Sequence, residues 1–253
     1  MDQMRFGLEG KTALITGGSR GIGLELARAL LAEGARVMIC GRKPENLEAA
    51  AAELDGGENL VTVGAHIAQD EQVEAMFQQV EGLWGRLDIL VNNVGMNLMT
   101  STMADTDPAL WRKIIDTNLT GTFLCSRAAA RLMRRQEGGK IVSVSSVAAH
   151  KAAPAMGVYG VAKAGVEMLT RVLAAELAPK VQVNAVAPGM VKTGFSRPFW
   201  SNPDLHDQVV SRIPLGRLAE TSDVVGPILF LLSPAADYIT GQTIILDGGA
   251  QVV

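Results

Sequence analysis

The sequence predicts an α/β fold in which helices cover both faces of a doubly wound, parallel sheet of seven strands. Three observations lead to this prediction. Short apolar stretches alternate with helical stretches along the chain, a glycine-rich turn joins the first strand to the first helix, and 48% of the 253 residues are hydrophobic. A chain of this length and composition can bury a large core, so we expect residues 1–253 to form a single domain.

The strands are predicted where short apolar runs lie between turn residues. They begin near Lys11, Arg36, Leu60, Leu87, Lys140, Val181 and Thr243. The stretches between them carry apolar residues at helical spacing, and no internal repeat, low-complexity tract or linker interrupts the alternation. Strands that alternate with helices in this way favour one parallel sheet.

A glycine-rich turn, GGSRGIG at residues 17–23, follows the first strand and opens a helix. Gly17, Gly21 and Gly23 would let the backbone approach a pyrophosphate closely, while the helix N-terminus would receive its charge. The turn therefore predicts a dinucleotide site. The alternative is that the glycines serve only a tight turn.

The end of the second strand indicates which cofactor would bind. An NAD-selective site usually presents a carboxylate there, whereas this chain has Gly41, Arg42 and Lys43. Together with Arg20, these residues supply positive charge near the adenosine ribose, and a guanidinium suits a 2′-phosphate. The sequence therefore favours NADP(H) over NAD(H). For Lys43 the alternative is that it only begins the next helix in solvent.

Ser146, Tyr159 and Lys163 have the spacing of a proton-transfer site. Tyr159 and Lys163 are four residues apart, so both project from one helix face, and Ser146 lies thirteen residues before the tyrosine. We expect the cation to lower the pKa of the phenol from about 10 towards the working pH. The alternative is a packed tyrosine beside a solvated lysine.

Six motifs in one order resemble the short-chain dehydrogenase/reductase superfamily, and the resemblance runs from about Gly10 to Gly249. The motifs are TGGSRGIG at residues 16–23, NNVG at 92–95, NLTG at 118–121, the serine and tyrosine motif, the PG step at 188–189, and GQTIILDGG at 241–249. The resemblance implies a Rossmann-like fold and an oxidoreductase that transfers a hydride between a nicotinamide and a carbonyl or secondary alcohol.

The resemblance also assigns roles to single residues. Tyr159 would exchange a proton with the substrate oxygen, Ser146 would orient that oxygen, and Lys163 would hold the nicotinamide ribose. Asn118 would keep a water chain. Asn92 and Gly95 would line the adenosine and the central sheet, and no metal is implied. The full set of implied cofactor-binding residues is Gly17, Ser19, Arg20, Gly21, Ile22, Gly23, Arg42, Ile67, Asn93, Gly95, Tyr159, Lys163, Pro188, Gly189, Val191 and Thr193.

Two positions depart from the family pattern. Val94 stands where the family usually has alanine, which adds bulk near the cofactor cleft. His66 stands where an aspartate usually faces the adenine, and this leaves adenine recognition to a backbone group, to Ile67 or to His66 itself. We favour a structural role for His66.

The substrate should be selected by the irregular segment 190–214, which is long enough for an active-site lid and contains Phe195, Phe199 and Trp200. These aromatic side chains could clasp an apolar substrate, or they could anchor the lid to the core or to a neighbouring subunit. The sequence KTGFSRPFW, together with His66, resembles the branch of NADPH-dependent carbonyl and retinal reductases. We therefore expect reduction of a lipophilic ketone or aldehyde. His150, Met96, Asn97 and Met156 are candidates to border the substrate.

Four other functions are alternatives to carbonyl reduction. An acyl-carrier-protein ketoreductase has the same implied catalytic set, and Arg131, Arg134 and Arg135 could assist an acidic carrier, although the aromatic lid argues against it. An NAD-dependent sugar or polyol dehydrogenase is a further alternative. The enoyl reductases of the related branch have a wider Tyr–Lys spacing, and a non-catalytic NADPH-sensing module would lack the complete Ser, Tyr, Lys and Asn set.

Composition limits the partners. The net charge is −3, the basic residues are spread, and the run at 131–135 is explained by solvation at a helix end, so nucleic-acid binding is not expected. No apolar run approaches about 18 residues and no signal peptide is recognisable, which predicts no membrane contact and a cytoplasmic location. Cys40 and Cys125 fit core positions in a reducing compartment. The resemblance implies a homotetramer, with close helix packing through the small residues at 128–130 and 162–165.

Overall fold

Seven parallel strands and the helices between them alternate along the chain, as the sequence predicts. The computed structural model describes residues 6–100, 102–152 and 155–252. The strands are β1 Thr12–Thr16, β2 Arg36–Gly41, β3 Leu60–Gly64, β4 Ile89–Asn92, β5 Gly139–Val144, β6 Val181–Pro188 and β7 Thr243–Leu246. All of them pair in parallel in the order β3-β2-β1-β4-β5-β6-β7. This arrangement confirms the predicted doubly wound α/β fold.

The helices connect consecutive strands as crossovers. They are α1 Gly21–Ala32, α2 Pro44–Leu54, α3 Asp70–Trp84, α4 Pro108–Ile115, α5 Gly121–Arg135, α6 Gly157–Leu177, α7 Arg197–Trp200, α8 Pro203–Val210 and α9 Thr221–Leu232. A π-helical turn, Asp116–Thr120, joins α4 to α5, and a 3₁₀ turn, Val147–Ala149, follows β5. In the described ranges, no helix is both long enough and apolar enough to cross a membrane.

Alternate residues of the strands build two hydrophobic layers, one on each face of the sheet. In β1, Ala13 and Ile15 pack with Leu26 of α1 and Ile228 of α9, whereas Leu14 joins the opposite layer. That layer contains buried side chains of α3, α5 and α6. Both faces of the central strands are therefore buried, which explains why these strands are continuous apolar runs rather than alternating ones.

The strand order reverses between β1 and β4. The chain moves from β1 outwards to β2 and β3, then returns to β4 and continues in the other direction to β7. The connections after β1 and β4 consequently diverge to opposite sides and leave a crevice at the carboxyl ends of these two strands. The predicted cofactor motifs at residues 17–23 and 92–95 follow those two strand ends.

Candidate active site

A cavity of about 630 Å³ opens at this crevice, and it collects most of the residues that the sequence singled out. Of the predicted site residues, those that line it are Gly17, Ser19, Arg20, Gly21, Ile22, Arg42, Ile67, Asn93, Gly95, Ser146, Tyr159, Lys163, Pro188, Gly189, Val191 and Thr193. Gly23 and Asn118 are not among the lining residues. A cavity of this size is typical of small-molecule and cofactor sites.

The conformation of the glycine turn at residues 17–23 is fixed in part by Asn93, which follows β4, the strand that pairs with β1. Gly17 and Gly21 have positive φ angles of 68° and 57°. Asn93 donates from Nδ2 to the carbonyl oxygen of Gly17 (3.0 Å). A Cβ atom at Gly23 would lie 2.4 Å from that carbonyl oxygen and 2.5 Å from Asn93 Nδ2, so Gly23 acts through close packing rather than by facing the cavity.

The N-terminus of α1 points into this turn. Its N-cap residue, Arg20, makes no side-chain capping hydrogen bond. The first amide groups of a helix have no partner within the helix, and they carry the positive end of its dipole. The turn and the helix end therefore form a cradle whose chemistry fits a pyrophosphate, and the predicted binding of that group stays a prediction.

Positive charge dominates the walls of the cavity. Five lining residues are basic, namely Arg20, Arg42, Lys43, Lys151 and Lys163, and the described part of the chain contributes no Asp or Glu to the lining. Lys43 lies 3.7 Å from Glu45, with both side chains exposed, so its charge is partly matched in solvent. This imbalance, in a chain of net charge −3, fits a polyanionic ligand.

The three groups predicted to transfer a proton meet at the inner end of the cavity. Tyr159 and Lys163 are buried on one face of α6, and Ser146 lies beyond the end of β5 as the N-cap of the 3₁₀ turn. The Ser146 hydroxyl is close enough to the Tyr159 hydroxyl to lower the pKa of the phenol. Lys163 donates from Nζ to the carbonyl oxygen of Val144 (2.7 Å) and lies 5.6 Å from the centre of the tyrosine ring.

The pKa of the phenol differs from the sequence expectation. Burial raises the pKa of Tyr159 to about 12, and the hydrogen bond with Ser146 offsets this effect only in part. Burial also lowers the pKa of Lys163 to about 8. The expectation that the neighbouring cation lowers the tyrosine pKa is therefore wrong for the protein alone, because desolvation disfavours both charged forms. Tyr159 is accordingly a protonated phenol at neutral pH.

Asn118 lies beside this cluster, in the π-helical turn, and its side chain is fully buried. Its Oδ1 accepts from the amide of Met96 (3.0 Å), while Nδ2 donates to the carbonyl oxygens of Met96 and Ile114 (both 2.8 Å). The side chain thus fixes the loop after β4 on the helix. These bonds occupy the amide group, so the observed contacts of the side chain are structural, and the predicted water chain stays a prediction.

Three residues near the strand ends, Asn92, His66 and Val94, make contacts within the protein that bear on their predicted roles. Asn92, which was expected to line the adenosine, is buried behind the sheet, where Nδ2 lies within bonding distance of the Ser126 and Ser143 hydroxyls (2.9 and 3.3 Å). His66 accepts the amide of Ala68 at Nδ1 (3.2 Å), in line with a structural role. Val94 packs against the glycine turn, because a Cβ at Gly17 would lie 3.1 Å from its Cγ2.

The segment at 190–214 contains two short helices, α7 and α8, and its aromatic side chains have different surroundings. Phe195 lines the cavity, and its ring centre lies 6.1 Å from that of Tyr159. Trp200 donates from Nε1 to the carbonyl oxygen of Thr193 (3.1 Å). Phe195 thus faces the site, while Trp200 bonds within the segment itself. The side chain of Phe199 lies outside the described part of the structure.

Several lining residues carry no sequence signal that identified them. Met190 and Lys151 lie in irregular loops. Asn46 lies one turn into α2, close behind Arg42, and its position four residues after that arginine could have indicated a contact with the same ligand group. Met156, a candidate to border the substrate, does line the cavity, whereas Met96, Asn97 and His150 are not among its lining residues.

Comparison with known proteins identifies the family. The model of the family described as "Enoyl-(Acyl carrier protein) reductase" matches residues 17–251. The chain is 37% identical over 245 residues to "Dehydrogenase/reductase SDR family member 4" of Homo sapiens, which covers 96% of this chain and 88% of the relative. The chain belongs to the short-chain dehydrogenase/reductase superfamily. Its members are oxidoreductases that use a nicotinamide cofactor.

Two other members of the short-chain dehydrogenase/reductase superfamily are similar over nearly the whole chain. A "3-oxoacyl-[acyl-carrier-protein] reductase" of Synechocystis sp. is 39% identical over 251 residues, which cover 96% of this chain and 97% of the relative. The crystal structure of a gluconate 5-dehydrogenase from Burkholderia cenocepacia, in complex with NADP and tartrate, superposes with a TM-score of 0.92. It is 35% identical, and the match covers 98% of both chains.

Replacing the buried lysine tests the electrostatics of this short-chain dehydrogenase/reductase site. Lys163→Met should raise the free energy of unfolding of the cofactor-free protein at neutral pH, by on the order of 2 kcal/mol, because a desolvated cation is removed. The Lys163 pKa falls from 10.5 in the unfolded chain to about 8 in the native state. Between these values the unfolded chain binds more protons, so the lysine's penalty is complete below about pH 8 and disappears towards pH 10.5.

Urea unfolding of both proteins at about pH 7 and about pH 10 measures the effect. Burial also raises the pKa values of Cys40, Cys125 and Tyr159, and these groups lower the stability of both proteins in alkali. The difference between the two proteins therefore isolates Lys163. A difference that is the same at both pH values would contradict a desolvated ammonium at this position.

Proposed function

We propose that this protein is an NADP(H)-dependent oxidoreductase that reduces the carbonyl group of a lipophilic ketone or aldehyde to a secondary or primary alcohol, and catalyses the reverse reaction. The observation that carries the proposal is the cluster of Ser146, Tyr159 and Lys163 at the inner end of a basic cavity. A proton donor, a second hydroxyl close to it and a buried cation are what carbonyl reduction requires beside a hydride source.

The residues of this chain would handle the oxygen atom and its proton. When bound, the nicotinamide supplies or accepts the hydride at the substrate carbon. The substrate oxygen would lie between the Ser146 and Tyr159 hydroxyls, which interact with each other in the free protein. Tyr159 would donate its proton as negative charge develops on that oxygen, and the Lys163 ammonium would stabilise the resulting phenolate. Burial keeps the phenol protonated beforehand, which is the form that reduction needs.

A preference for NADP(H) over NAD(H) is supported by the outer end of the cavity. Ser19, Arg20, Arg42, Lys43 and Asn46 line this end, and no carboxylate joins them from the described residues. The guanidinium groups and hydroxyl suit a 2′-phosphate, whereas the ribose hydroxyls of NAD are usually held by an acid. The similar gluconate 5-dehydrogenase holds NADP in its crystal structure.

A lipophilic substrate is supported by the inner walls of the cavity. Val147, Ala148, Met156, Met190 and Phe195 contribute apolar surface near Tyr159. A polyol would leave its hydroxyl groups without partners against such walls, and this argues against the sugar alternative. Among the polar exceptions, Lys151 supplies one exposed cation at the margin.

Reduction of a 3-oxoacyl group on an acyl carrier protein is supported by the similarity to the relative in Synechocystis. The ion pairs of the basic residues at 131–135 argue against it. Arg131 pairs with Glu74 (3.1 Å) and Arg135 pairs with Glu81 (2.9 Å), so the basic run is largely matched by acids of α3. An acidic carrier would find little free positive charge there.

Enoyl reduction, named in the description of the matching family, is disfavoured by the Tyr–Lys separation of four residues. The complete Ser, Tyr, Lys and Asn set disfavours a non-catalytic sensor.

A homotetramer is the proposed assembly. Phe123 of α5 and Val161, Met168 and Val172 of α6 are exposed apolar side chains on adjacent helices, and a second exposed pair comes from α9 and β7 (Phe230 and Ile245). Two separate apolar surfaces are what a tetramer of two-fold dimers needs. We also propose that residues 1–253 form one domain and that the protein is cytoplasmic, which the single continuous sheet and the two buried free thiols support.

Tyr159→Phe tests the proposed chemistry, because it removes the phenol proton and little else. We expect kcat for NADPH-dependent reduction of aromatic ketones, α-dicarbonyls or retinal to fall by about 10²- to 10⁴-fold, with the NADPH dissociation constant within about twofold. The other tyrosine of the chain, Tyr238, is fully exposed, so Tyr238→Phe is the matched control. Full activity of Tyr159→Phe would refute the assignment. Preference for an acetoacetyl thioester or for polyols would replace the proposed substrate class.

Arg42→Ala tests the cofactor preference. NADPH should bind about 1 to 3 kcal/mol more weakly, or about 5- to 150-fold, because a charge-assisted hydrogen bond to the 2′-phosphate is lost, while NADH binding should change by less than about twofold. Fluorescence titration with both cofactors measures this. Arg134→Ala, at an exposed arginine outside the cavity, is the control. Equal weakening of both cofactors would show that Arg42 does not contact the phosphate.

Val172→Glu tests the assembly. A charge in the apolar surface of α5 and α6 should dissociate the tetramer into smaller species in sedimentation velocity at micromolar concentration, since a buried carboxylate without a partner is unfavourable. Leu83→Glu places the same charge at an exposed leucine of α3, outside both surfaces, and should leave the mass unchanged. A native protein that sediments with the mass of one chain would refute the tetramer directly.

A further inference from the structure

A buried carboxylate lies one turn beyond the proton-transfer cluster on α6. Glu167 is 6% exposed, and Tyr159, Lys163 and Glu167 follow one another at intervals of four residues. All three side chains therefore project from the same side of the helix, towards the end of β5. A buried carboxylate is unfavourable unless it accepts hydrogen bonds, so its partners indicate what it holds in place.

The partners of Glu167 flank the serine of the proposed site. Glu167 Oε1 accepts from the Ser145 hydroxyl (2.8 Å), and His150 Nε2 lies 3.0 Å from the same oxygen, within hydrogen-bonding distance. Ser145 precedes Ser146 directly, and it also contacts the carbonyl oxygen of Lys163 (3.3 Å). One carboxylate oxygen thus fastens the chain on both sides of Ser146 to the helix that carries Tyr159.

The segment between these two anchors is short and internally bonded. Ser146 Oγ accepts the amide of Ala148 (3.2 Å), and the 3₁₀ turn Val147–Ala149 ends at His150, whose amide bonds to Val147 (3.0 Å). The segment also packs closely on α6, since a Cβ atom at Gly160 would lie 2.7 Å from the carbonyl oxygen of Ala148. With both ends fixed, the turn leaves Ser146 little freedom to move relative to Tyr159.

We propose that Glu167 is a positioning residue, which fixes the Ser146 hydroxyl against Tyr159 by anchoring Ser145 and His150. This inference rests on the proposed function of Ser146 and Tyr159 as the groups that bind the substrate oxygen. Loss of the carboxylate would release both ends of the turn at 145–150 and misplace the serine hydroxyl. Misplacement by about 1 Å is sufficient to slow such a reaction by a large factor.

The test uses the full-length protein and asks whether Glu167 acts through Ser146. Glu167→Met keeps the side-chain length but accepts no hydrogen bond, and it should lower kcat about tenfold while the NADPH dissociation constant stays within about twofold. Glu167→Gln keeps an acceptor oxygen for both partners and should retain kcat within about threefold. Glu176→Met, at an exposed glutamate of the same helix, is the control and should be unchanged.

The decisive measurement is the same substitution in a Ser146→Ala background. If Glu167 only positions the serine, Glu167→Met should lower kcat there by less than about twofold further, because the group that it positions is gone. An equal tenfold loss in both backgrounds would overturn the proposal and leave Glu167 a purely structural residue. Full activity of the Glu167→Met single variant would overturn it as well.

Two further measurements keep the outcome unambiguous. If Glu167→Met fails to fold by circular dichroism, His150→Leu removes one anchor at a half-exposed position, and its loss of kcat, about threefold, should likewise vanish in the Ser146→Ala background. If His150→Leu is fully active, the proposal fails. If Ser146→Ala and Tyr159→Phe are themselves fully active, it is the proposed function that fails, which separates the two conclusions.

Discussion

The site depends on one buried contact, the hydrogen bond from Lys163 Nζ to the carbonyl oxygen of Val144. This bond joins the N-terminal third of α6 to the last residue of β5, and it therefore fixes the helix that carries Tyr159 at the edge of the sheet where the strand order reverses. An ammonium is held here without a carboxylate at bonding distance among the described residues. The resulting desolvation dominates the electrostatics of this cluster. It keeps the Tyr159 phenol protonated, and it makes a charged group that enters the cavity interact more strongly with Lys163 than it would in water.

Paired and unpaired charges also lie in different parts of the protein. The ion pairs of the described surface match most arginines of α5 with acids of α3, such as Arg127 with Glu74 and Arg135 with Glu81. In the cavity, by contrast, Arg20 and Arg42 have no acidic partner from the described residues. A negatively charged chain thus presents one concave region of positive charge. Such a region would attract a phosphorylated ligand, since the N-terminus of α1 and the basic residues Arg20 and Arg42 line the same cavity.

The sequence predicted the parts of the structure that depend on local pattern. The strands, the glycine turn and the Tyr–Lys face of α6 follow from apolar periodicity and spacing, and the structure confirms their positions within about two residues. Properties that depend on burial, such as the pKa values and the surroundings of single side chains, could not be predicted from the sequence. The spacing of Tyr159 and Lys163 shows that they are neighbours, but only the packed structure shows that both are desolvated, and this reversed the expected pKa shift. Asn92 and Asn93 are consecutive asparagines. Because side chains alternate at the end of β4, Asn92 contacts Ser126 behind the sheet, whereas Asn93 contacts the glycine turn.

Long-range polar contacts were invisible for a different reason. Glu167 and His150 are seventeen residues apart on different elements, and no periodic pattern relates them. Asn118 reaches Met96 through a π-helical turn, whose extra residue per turn displaces the side chain from the position that regular helical spacing would give it. Such contacts are decided by how elements pack, and only then by which polar groups are left to pair.

The first residues of the segment at 190–214 contribute to two parts of the cavity. Val191 bridges to Ala219, and Ser196 Oγ donates to the carbonyl oxygen of Val191, so the first residues of the segment are fixed to the stretch of chain that precedes α9. Thr193 lines the cofactor cavity, and Phe195, two residues later, contacts the ring of Tyr159. Only Gly194 separates Thr193 from Phe195, so these two residues cannot move far independently of each other. The same short stretch of chain therefore contributes both a polar residue to the cavity and an aromatic ring beside Tyr159.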